Sequence, residues 1–378
     1  MASLDTVAAT KMRVTCSRDE LAAKVGVVGR AVSTRSSVQI LSSVLLQADE
    51  ASLSLAATDM EISLRVSLQA DGVDGGSVVV PGRLLVDIVR LLPSATVEIE
   101  HETAEGVVHL RSGPASYTLH TYNPEDFPRL PEIHQAGMFT VEREAFLDTI
   151  RRVGRAASRD ESRPVLTGIL VRFDAGKVVM AATDSYRLSV KETPIGTGPE
   201  TAVEAIVPAR ALGELQRICQ PEGSPIEIGV QENQVVFGAD GVWLTARRID
   251  GQFPNYRQLL PETFEAEVRL PRQELADVVR RAKLMVQRNS PVRLRFEEGQ
   301  LIVSAQTQDV GEVKETMPAA YSGEPIEMGF NAEFLLDGLE SVTDETVRLK
   351  LISPLRPGMI HGESDDFLYL IMPIRLAG

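Results

Sequence analysis

The chain has 378 residues, with 39 Lys and Arg against 53 Asp and Glu and a formal charge of −14. Single hydrophobic cores stop growing near ~250–300 residues, so more than one core is expected. At 43% apolar and 24% charged the composition is that of an ordinary globular protein, not a disordered one. No run reaches the ~18 apolar residues of a membrane span, and two cysteines, Cys16 and Cys219, exclude a disulfide framework and suit a reducing cytoplasm.

The opening MASLDTVAAT carries an acid and no basic start leading into an apolar core, so no signal peptide is expected. A strand around Val14 leads into a helix over 17–32. Ile62, Leu64, Val66 and Leu68 then alternate with Ser63, Arg65, Ser67 and Gln69, the period-2 pattern of a half-buried strand. Residues 70–76 read as a turn, and Pro81 is expected to open a helix over 82–92. Strands are expected at 97–100, 107–111 and 117–122, and a linker at 131–137. Phe139–Val141 is a strand leading into a helix over 143–156, whose Leu147, Ile150 and Val153 recur at helical steps. Pro208 opens a second such helix, 208–219. Loops are expected at 193–200 and 220–225, a linker at 261–265, and further helices at 272–288 and 331–342.

This order is a repeat. AATDMEISL at 56–64 returns as AATDSYRLS at 181–189, with Thr58 and Thr183 125 positions apart. VVVPGRLLVDIVRLLP matches AIVPARALGELQRICQP, with Pro81 and Pro208 127 apart, and EDFPRLP matches GQFPNYRQLLP, with Pro128 and Pro254 126 apart. MRVTCSRDELAA, FTVEREAFLDTI and VRLPRQELADVV extend the series to a third copy, placing Val14, Val141 and Val268 at steps of 127. One third of the chain is 126 residues, which is a domain rather than a solenoid unit. The expected fold is α+β, three similar domains at 1–137, 138–262 and 263–378.

Catalytic patterns are missing. There is no phosphate-binding loop, no G-x-G-x-x-G after a strand and no G-x-S-x-G elbow. His101, His109, His120, His134 and His361 never stand at metal-ligand spacing with one another or with a cysteine. No cofactor, metal or catalytic residue is expected, and binding outranks catalysis.

The net acidity argues against a nucleic-acid partner, but its distribution does not. The six helical segments, the fourth taken from Pro208, carry 16 Lys and Arg against 11 Asp and Glu, a net of +5 that leaves −19 elsewhere. Arg151, Arg152 and Arg155, and then Arg280, Arg281, Lys283 and Arg288, give helices a basic face. The bland alternative is a solvated helix surface. The segment holding Glu333, Asp337 and Glu340 breaks the pattern.

VPGRLLVDIVRLLP, AATDSYRLSV, IDGQFPNYRQLLP and the terminal YLIMPIRL, in this order on a threefold repeat, resemble the β sliding clamps of bacterial DNA polymerase III. The resemblance runs from Lys11 to Leu376. It implies the DNA clamp fold: a head-to-tail homodimer closed into a ring, helices lining the hole and antiparallel sheets outside. The implied role is a cytoplasmic processivity factor without catalysis or membrane contact. It would encircle duplex DNA without sequence preference and tether the replicative polymerase catalytic subunit. Clamp loader, other polymerases and repair proteins would dock by short peptide motifs.

Positions matching the family's DNA contacts are Arg35, Arg83, Arg159 and Arg210, to which charge alone adds Arg155 and Arg288. The loop SRDESRPVL carries Asp160, Pro164 and Val165 where polar and aromatic contacts stand in the family. The peptide pocket maps to Leu166, Thr183, Ser185, Tyr186, Arg187, Leu188, Pro254, Leu259, Met372, Pro373, Ile374, Arg375 and Leu376. An apolar groove with a few orienting polar groups suits that task. Gln258 replaces a frequent arginine, and 377–378 extend past the usual terminal leucine. The dimer contact would set Tyr117 and Leu119 against Leu284 and Met285. The alternative outside nucleic-acid binding is a three-domain peptide-binding scaffold; an enzyme is a distant third.

Overall fold

A computed structural model describes residues 11–33, 37–102, 105–134, 137–196, 198–220, 222–287, 290–307 and 311–376. The chain divides into two compact units, one of residues 1–140 and 217–247, the other of 141–216 and 248–378. Four antiparallel sheets and seven α-helices are present among the described residues.

Unit 1 holds a five-stranded sheet in the order Asp71–Asp74, Lys11–Ser17, Thr96–Glu102, Val107–Ser112, Ala115–His120. Its eight-stranded sheet runs Phe139–Val141, Ile226–Val230, Gln234–Ala239, Val242–Arg247, Ile62–Gln69, Ser52–Thr58, Ser43–Asp49, Gly76–Pro81. Ile62, Leu64, Val66 and Leu68 are buried as their alternation predicts. Helix α1 (Arg18–Val28) begins at Ser17, whose hydroxyl accepts from the Glu20 amide. It buries Leu21, Val25 and Val28 and packs on strand Ile62–Gln69 and on α2 (Gly82–Leu91). Glycine is required at 82, where a Cβ would stand 2.8 Å from Val32.

Unit 2 holds an eight-stranded sheet in the order Val203–Pro208, Gly168–Asp174, Lys177–Thr183, Arg187–Pro194, Phe367–Ile371, Gly358–His361, Thr346–Leu351, Ala266–Pro271. A four-stranded sheet follows the order Gly311–Pro318, Gln300–Thr307, Val292–Glu297, Ile326–Phe330. Helix α3 (Arg143–Gly154) is capped by the Glu142 carboxylate, which accepts from the amides of Glu144 and Ala145 at 2.9 and 2.7 Å. It buries Phe146, Leu147, Ile150 and Val153 against the sheet. The remaining helices are α4 (Pro164–Thr167), α5 (Ala209–Ile218), α6 (Arg272–Lys283) and α7 (Ala332–Ser341).

Several expectations shift. Pro81 ends its strand and caps α2, which starts at Gly82 as expected, whereas Pro208 ends its strand and α5 starts one residue later, at Ala209. Segment 70–76 is not a turn: Asp71–Asp74 pairs with Arg13 and Thr15. Its polar, glycine-containing sequence has turn composition, but the open edge of Lys11–Ser17 supplies backbone partners. Strand Arg187–Pro194 runs into the expected loop at 193, and α6 ends at Lys283, short of 288.

Both large sheets join strands of successive sequence copies. Ile62–Gln69 pairs with Val242–Arg247, and Arg187–Pro194 with Phe367–Ile371. The registers repeat: Ile62 faces Ala246 and Arg187 faces Ile371, each partner displaced by the same 125 positions. Because hydrogen-bonded ladders cross from copy to copy, the two compact units do not follow the three repeats.

Candidate functional site

The twice-repeated AATD motif builds one turn twice. In unit 2, Thr183 Oγ1 donates to the Arg187 carbonyl at 2.6 Å and accepts from the Ser185 amide at 3.2 Å. Asp184 Oδ1 accepts from the amides of Tyr186 and Arg187 at 2.9 and 3.1 Å. In unit 1, Thr58 and Asp59 make the same four bonds to residues 60–62. Ser185 (φ 81°) and Met60 (φ 78°) both lie in the left-handed region, which non-glycine residues rarely occupy. These side-chain bonds hold that geometry, which is why Thr and Asp recur. The turn leaves the large side chain of Tyr186 61% exposed.

The C-terminal strand completes this site. Arg187 and Leu188 face Ile371 and Leu370 in the ladder, and the Met372 amide donates to the Tyr186 carbonyl at 2.8 Å. Leu188 and Leu370 share a buried cluster with Phe253 and Tyr256, and Val165 packs against it, next to the buried Leu166. Pro254, Leu259 and Met372 stay exposed around this floor. Tyr186, Pro254, Leu259 and Met372 are thus exposed chain neighbours of one buried apolar cluster, while Thr183 and Leu188 are themselves buried.

The rest of the tail goes elsewhere in unit 2. The Ile374 amide donates to the Gly329 carbonyl at 2.7 Å, and Leu376 lies where a Cβ on Gly329 would come within 2.6 Å. Ile374 lines a separate cavity of about 550 Å³ with Lys283, Gln287, Asn331 and Glu333. Pro373 is half-buried and Arg375 exposed.

Arg187 is the electrostatic centre. Its guanidinium bonds Asp184 at 3.0 Å, Asp337 at 2.5 Å and the Tyr369 hydroxyl at 3.3 Å, and lies 4.2 Å from the centroid of the Phe334 ring. Burial pulls its pKa down, but Tyr369, Asp337 and Asp184 outweigh that and raise it. Burial raises the Tyr369 phenol. Phe334, Asp337 and Tyr369 were not among the expected site residues. The acidic helix that broke the charge pattern was the available signal for Asp337.

The helix cations divide into two groups. Arg83 on α2, Arg159 after α3 and Arg210 on α5 are exposed. Arg83 lines a cleft of about 490 Å³ between α1 and α2 with Arg30, Arg90 and Asp87. The basic faces of α3 and α6 are largely spent on acids. Arg155, expected from charge to face DNA, bonds Glu340 at 2.7 Å and Asp337 at 3.3 Å on α7. Arg280 pairs with Asp277 and Glu340, Arg281 with Glu315, and Lys283 with Glu333. Hydrogen bonds from Arg280 and Arg155 hold Glu340 below the usual carboxylate range. Arg35, Arg288 and residues 377–378 lie outside the described residues. Within SRDESRPVL, Asp160 bonds Ser162 and Arg163, which hold its carboxyl low.

Of the expected dimer residues, Leu284 is 79% exposed and Tyr117 37%, Met285 is half-buried, and Leu119 is closed into the core of unit 1. Leu119 can therefore offer only backbone, while the strand carrying it, Ala115–His120, is the last of its sheet, as Gly311–Pro318 is of another. Among the described residues no group of three or more His, Cys, Asp or Glu could hold a metal ion, and no helix is long and apolar enough to cross a membrane.

Family comparisons cover the chain. Descriptions of the DNA polymerase III beta subunit match it over residues 12–131 (N-terminal domain), 140–255 (central domain) and 257–375 (C-terminal domain). The beta sliding clamp of Streptomyces coelicolor is 35% identical over 97% of this chain and 100% of its own length; that of Bacillus subtilis is 28% identical over 96% and 100%. The crystal structure of the Bacillus subtilis clamp superposes with a TM-score of 0.92 at 27% identity, covering 97% of this chain and 100% of that one. A Pseudomonas aeruginosa sliding clamp bound to griselimycin gives 0.90 at 28%, with the same coverage. The chain thus belongs to the DNA polymerase III beta subunit family, the three-domain sliding clamps that serve replication as non-catalytic processivity subunits.

Proposed function

We propose that this chain works as a homodimeric ring around duplex DNA, tethering the replicative polymerase catalytic subunit in the cytoplasm. The observation that carries the reading is the repeated junction. Two strand pairings of identical register join successive copies, and the strands at the corresponding places of the outer copies, Ala115–His120 and Gly311–Pro318, each stand last in a sheet. A third pairing of the same kind, made between protomers, uses both edges twice and closes two chains into a ring. Tyr117 stands on one of these edges and Leu284 and Met285 follow α6. Grip on DNA falls to Arg83, Arg159 and Arg210, with Arg35 and Arg288 as further candidates; Arg155, already paired, adds little. A few exposed cations give sequence-independent attraction without braking.

The surface around Tyr186, Arg187, Leu188, Pro254, Leu259 and Met372 is the proposed dock for short peptide motifs of the polymerase, clamp loader, other polymerases and repair proteins. Leu166 and Thr183 support it from below. The griselimycin-bound Pseudomonas clamp supports the reading that clamps of this family offer a ligand groove. The ion-paired α6 favours a second reading, a peptide scaffold that does not bind DNA. One experiment separates them: the chain is loaded on nicked circular DNA at moderate salt. A ring stays on the circle and runs off once the circle is cut, and Arg83→Glu with Arg210→Glu lowers loading. Retention indifferent to linearisation refutes the ring.

A further inference from the structure

The copy of the Thr-Asp turn in unit 1 opens onto a different surface. Two neighbouring cavities, of about 430 and 380 Å³, lie against the strands that carry it. Arg65 lines the first and Ser63 the second, two residues apart on one face of strand Ile62–Gln69; Leu130 and the adjacent Pro131 likewise line one each. The two cavities thus form one groove between the sheet face and segment 124–131.

Its chemistry is unlike that of the equivalent place in unit 2. There, Val179, Val190 and Tyr256 pack with the buried cluster. Their counterparts at the repeat spacing in unit 1 are Ser54, Arg65 and Leu130, and the space stays open. Leu45, Ala56 and Phe127 leave an apolar floor. Around it stand three arginines, half-buried Arg65 and exposed Arg129 and Arg247. None of the three has a side-chain hydrogen bond or ion pair among the described residues. Elsewhere in the same unit Arg13 and Arg111 are held by Glu98 and Glu100. A half-buried guanidinium without a counter-ion is unfavourable alone and is compensated when a ligand brings a carboxylate.

We propose that this groove is a second docking site, for an extended segment of a partner protein in which apolar residues alternate with Asp or Glu. Apolar side chains enter over Leu45, Ala56 and Phe127, and the carboxylates meet Arg65, Arg129 and Arg247. An extended chain suits it, because alternate residues face one way at the spacing of strand side chains. Nucleic acid suits it less. Asp49 and Glu61 line the same two cavities and repel a continuous run of phosphates, and the floor offers a sugar-phosphate backbone little. The site goes beyond the peptide dock of unit 2 and shares no residue with it.

Trp243, the only tryptophan of the chain, faces Arg65 across the strand pair, its ring over Gly238. Its fluorescence in the full-length chain therefore reports on this face. Titration with a short capped peptide alternating Glu with Leu gives a saturable change that weakens with salt. Arg65→Glu with Arg129→Glu weakens it at least ~10-fold, and Arg129→Glu with Arg247→Glu, both exposed, does so without touching a half-buried residue. Removal of residues 372–378, which disables the unit 2 dock, leaves the Trp243 response unchanged. Absence of a saturable response, an equal response to a Lys/Leu peptide or to a short DNA duplex, or unchanged affinity in both double variants overturns the proposal.

Discussion

Replacing Arg187 by Ala tests how far one side chain organises unit 2. The substitution removes charge-assisted bonds to Asp184 and Asp337, a bond to Tyr369 and a stack on Phe334. The side chains of Arg187 and Asp184 are only 10% and 12% exposed, so the pair is effectively buried. Breaking a buried pair by deleting one partner costs about 3–5 kcal/mol. Here each carboxylate keeps something: Asp337 retains Arg155, and Asp184 retains the amides of Tyr186 and residue 187. That lowers the electrostatic loss to about 2 kcal/mol, and the lost cation–π contact returns about 1 kcal/mol. The expected total is about 3 kcal/mol, or about a 1 M fall in urea midpoint for a slope near 3 kcal/mol/M. Arg187→Lys keeps the charge but not the fork or the stack, and should lose about half as much. Two probes read the outcome. Far-UV circular dichroism follows the whole chain, whereas Trp243 lies in unit 1. The dichroism transition should gain an earlier phase while the Trp243 midpoint holds. Unchanged transitions would show that the network carries no net stability, and refute the reasoning.

Three further outcomes follow from buried groups and the tail. Burial, with Lys350 and Arg348 adding, lowers the His361 pKa to about 4. The unfolded chain, with an ordinary histidine near 6.5, then binds the proton more readily, so stability falls as pH drops from about 6.5 to 4, by up to about 3 kcal/mol; His361→Gln should flatten urea midpoints across that window, and parallel curves would contradict the assignment. Burial, and secondarily Glu20, pushes the Cys16 thiol up to about 12, and Cys219 is buried too; iodoacetamide at pH 8 should therefore label neither until the chain is unfolded, whereas rapid native labelling of Cys16 would be inconsistent with it. Deleting residues 372–378 removes the bonds of the Met372 and Ile374 amides but leaves strand Phe367–Ile371 in place; it should cost about 1–2 kcal/mol of stability and abolish binding of a polymerase-derived peptide, and retained affinity would move the dock elsewhere.

What the sequence revealed was local or repeated. The alternation from Ile62 to Leu68, the helical spacing of Leu147, Ile150 and Val153, and the AATD turns all depend on residues within a few positions of one another. The missed features depend on partners far along the chain. Asp71–Asp74 is a strand only because Lys11–Ser17 has an open edge. Arg281 meets Glu315 across 34 positions, and Arg155 meets Glu340 across 185. No periodicity encodes such pairings. In sequence the tail reads as one binding element, yet its backbone bonds diverge, Met372 toward Tyr186 and Ile374 toward Gly329. In sequence Arg65 is one of several outward residues, and only its cross-strand neighbours make it part of a groove.

The same distinction changes how the charge of −14 bears on DNA. Summing charge over helices gave +5, but a sum treats Arg155, Arg280 and Lys283 as equal to Arg83, whereas α7 has placed Asp337, Glu340 and Glu333 against the first three. A paired cation keeps little field beyond a Debye length of about 8 Å. It still provides donors at short range without releasing many counterions. If the chain encircles DNA as proposed, that arrangement suits sliding better than a uniformly basic lining. Each phosphate that met a free arginine would add to a well the ring must leave at every step. Paired arginines flatten those wells, and the few exposed ones set how strongly the ring is drawn to DNA. Closure, not affinity, then has to supply retention, so integrity of the two sheet edges matters more to processivity than any single cation.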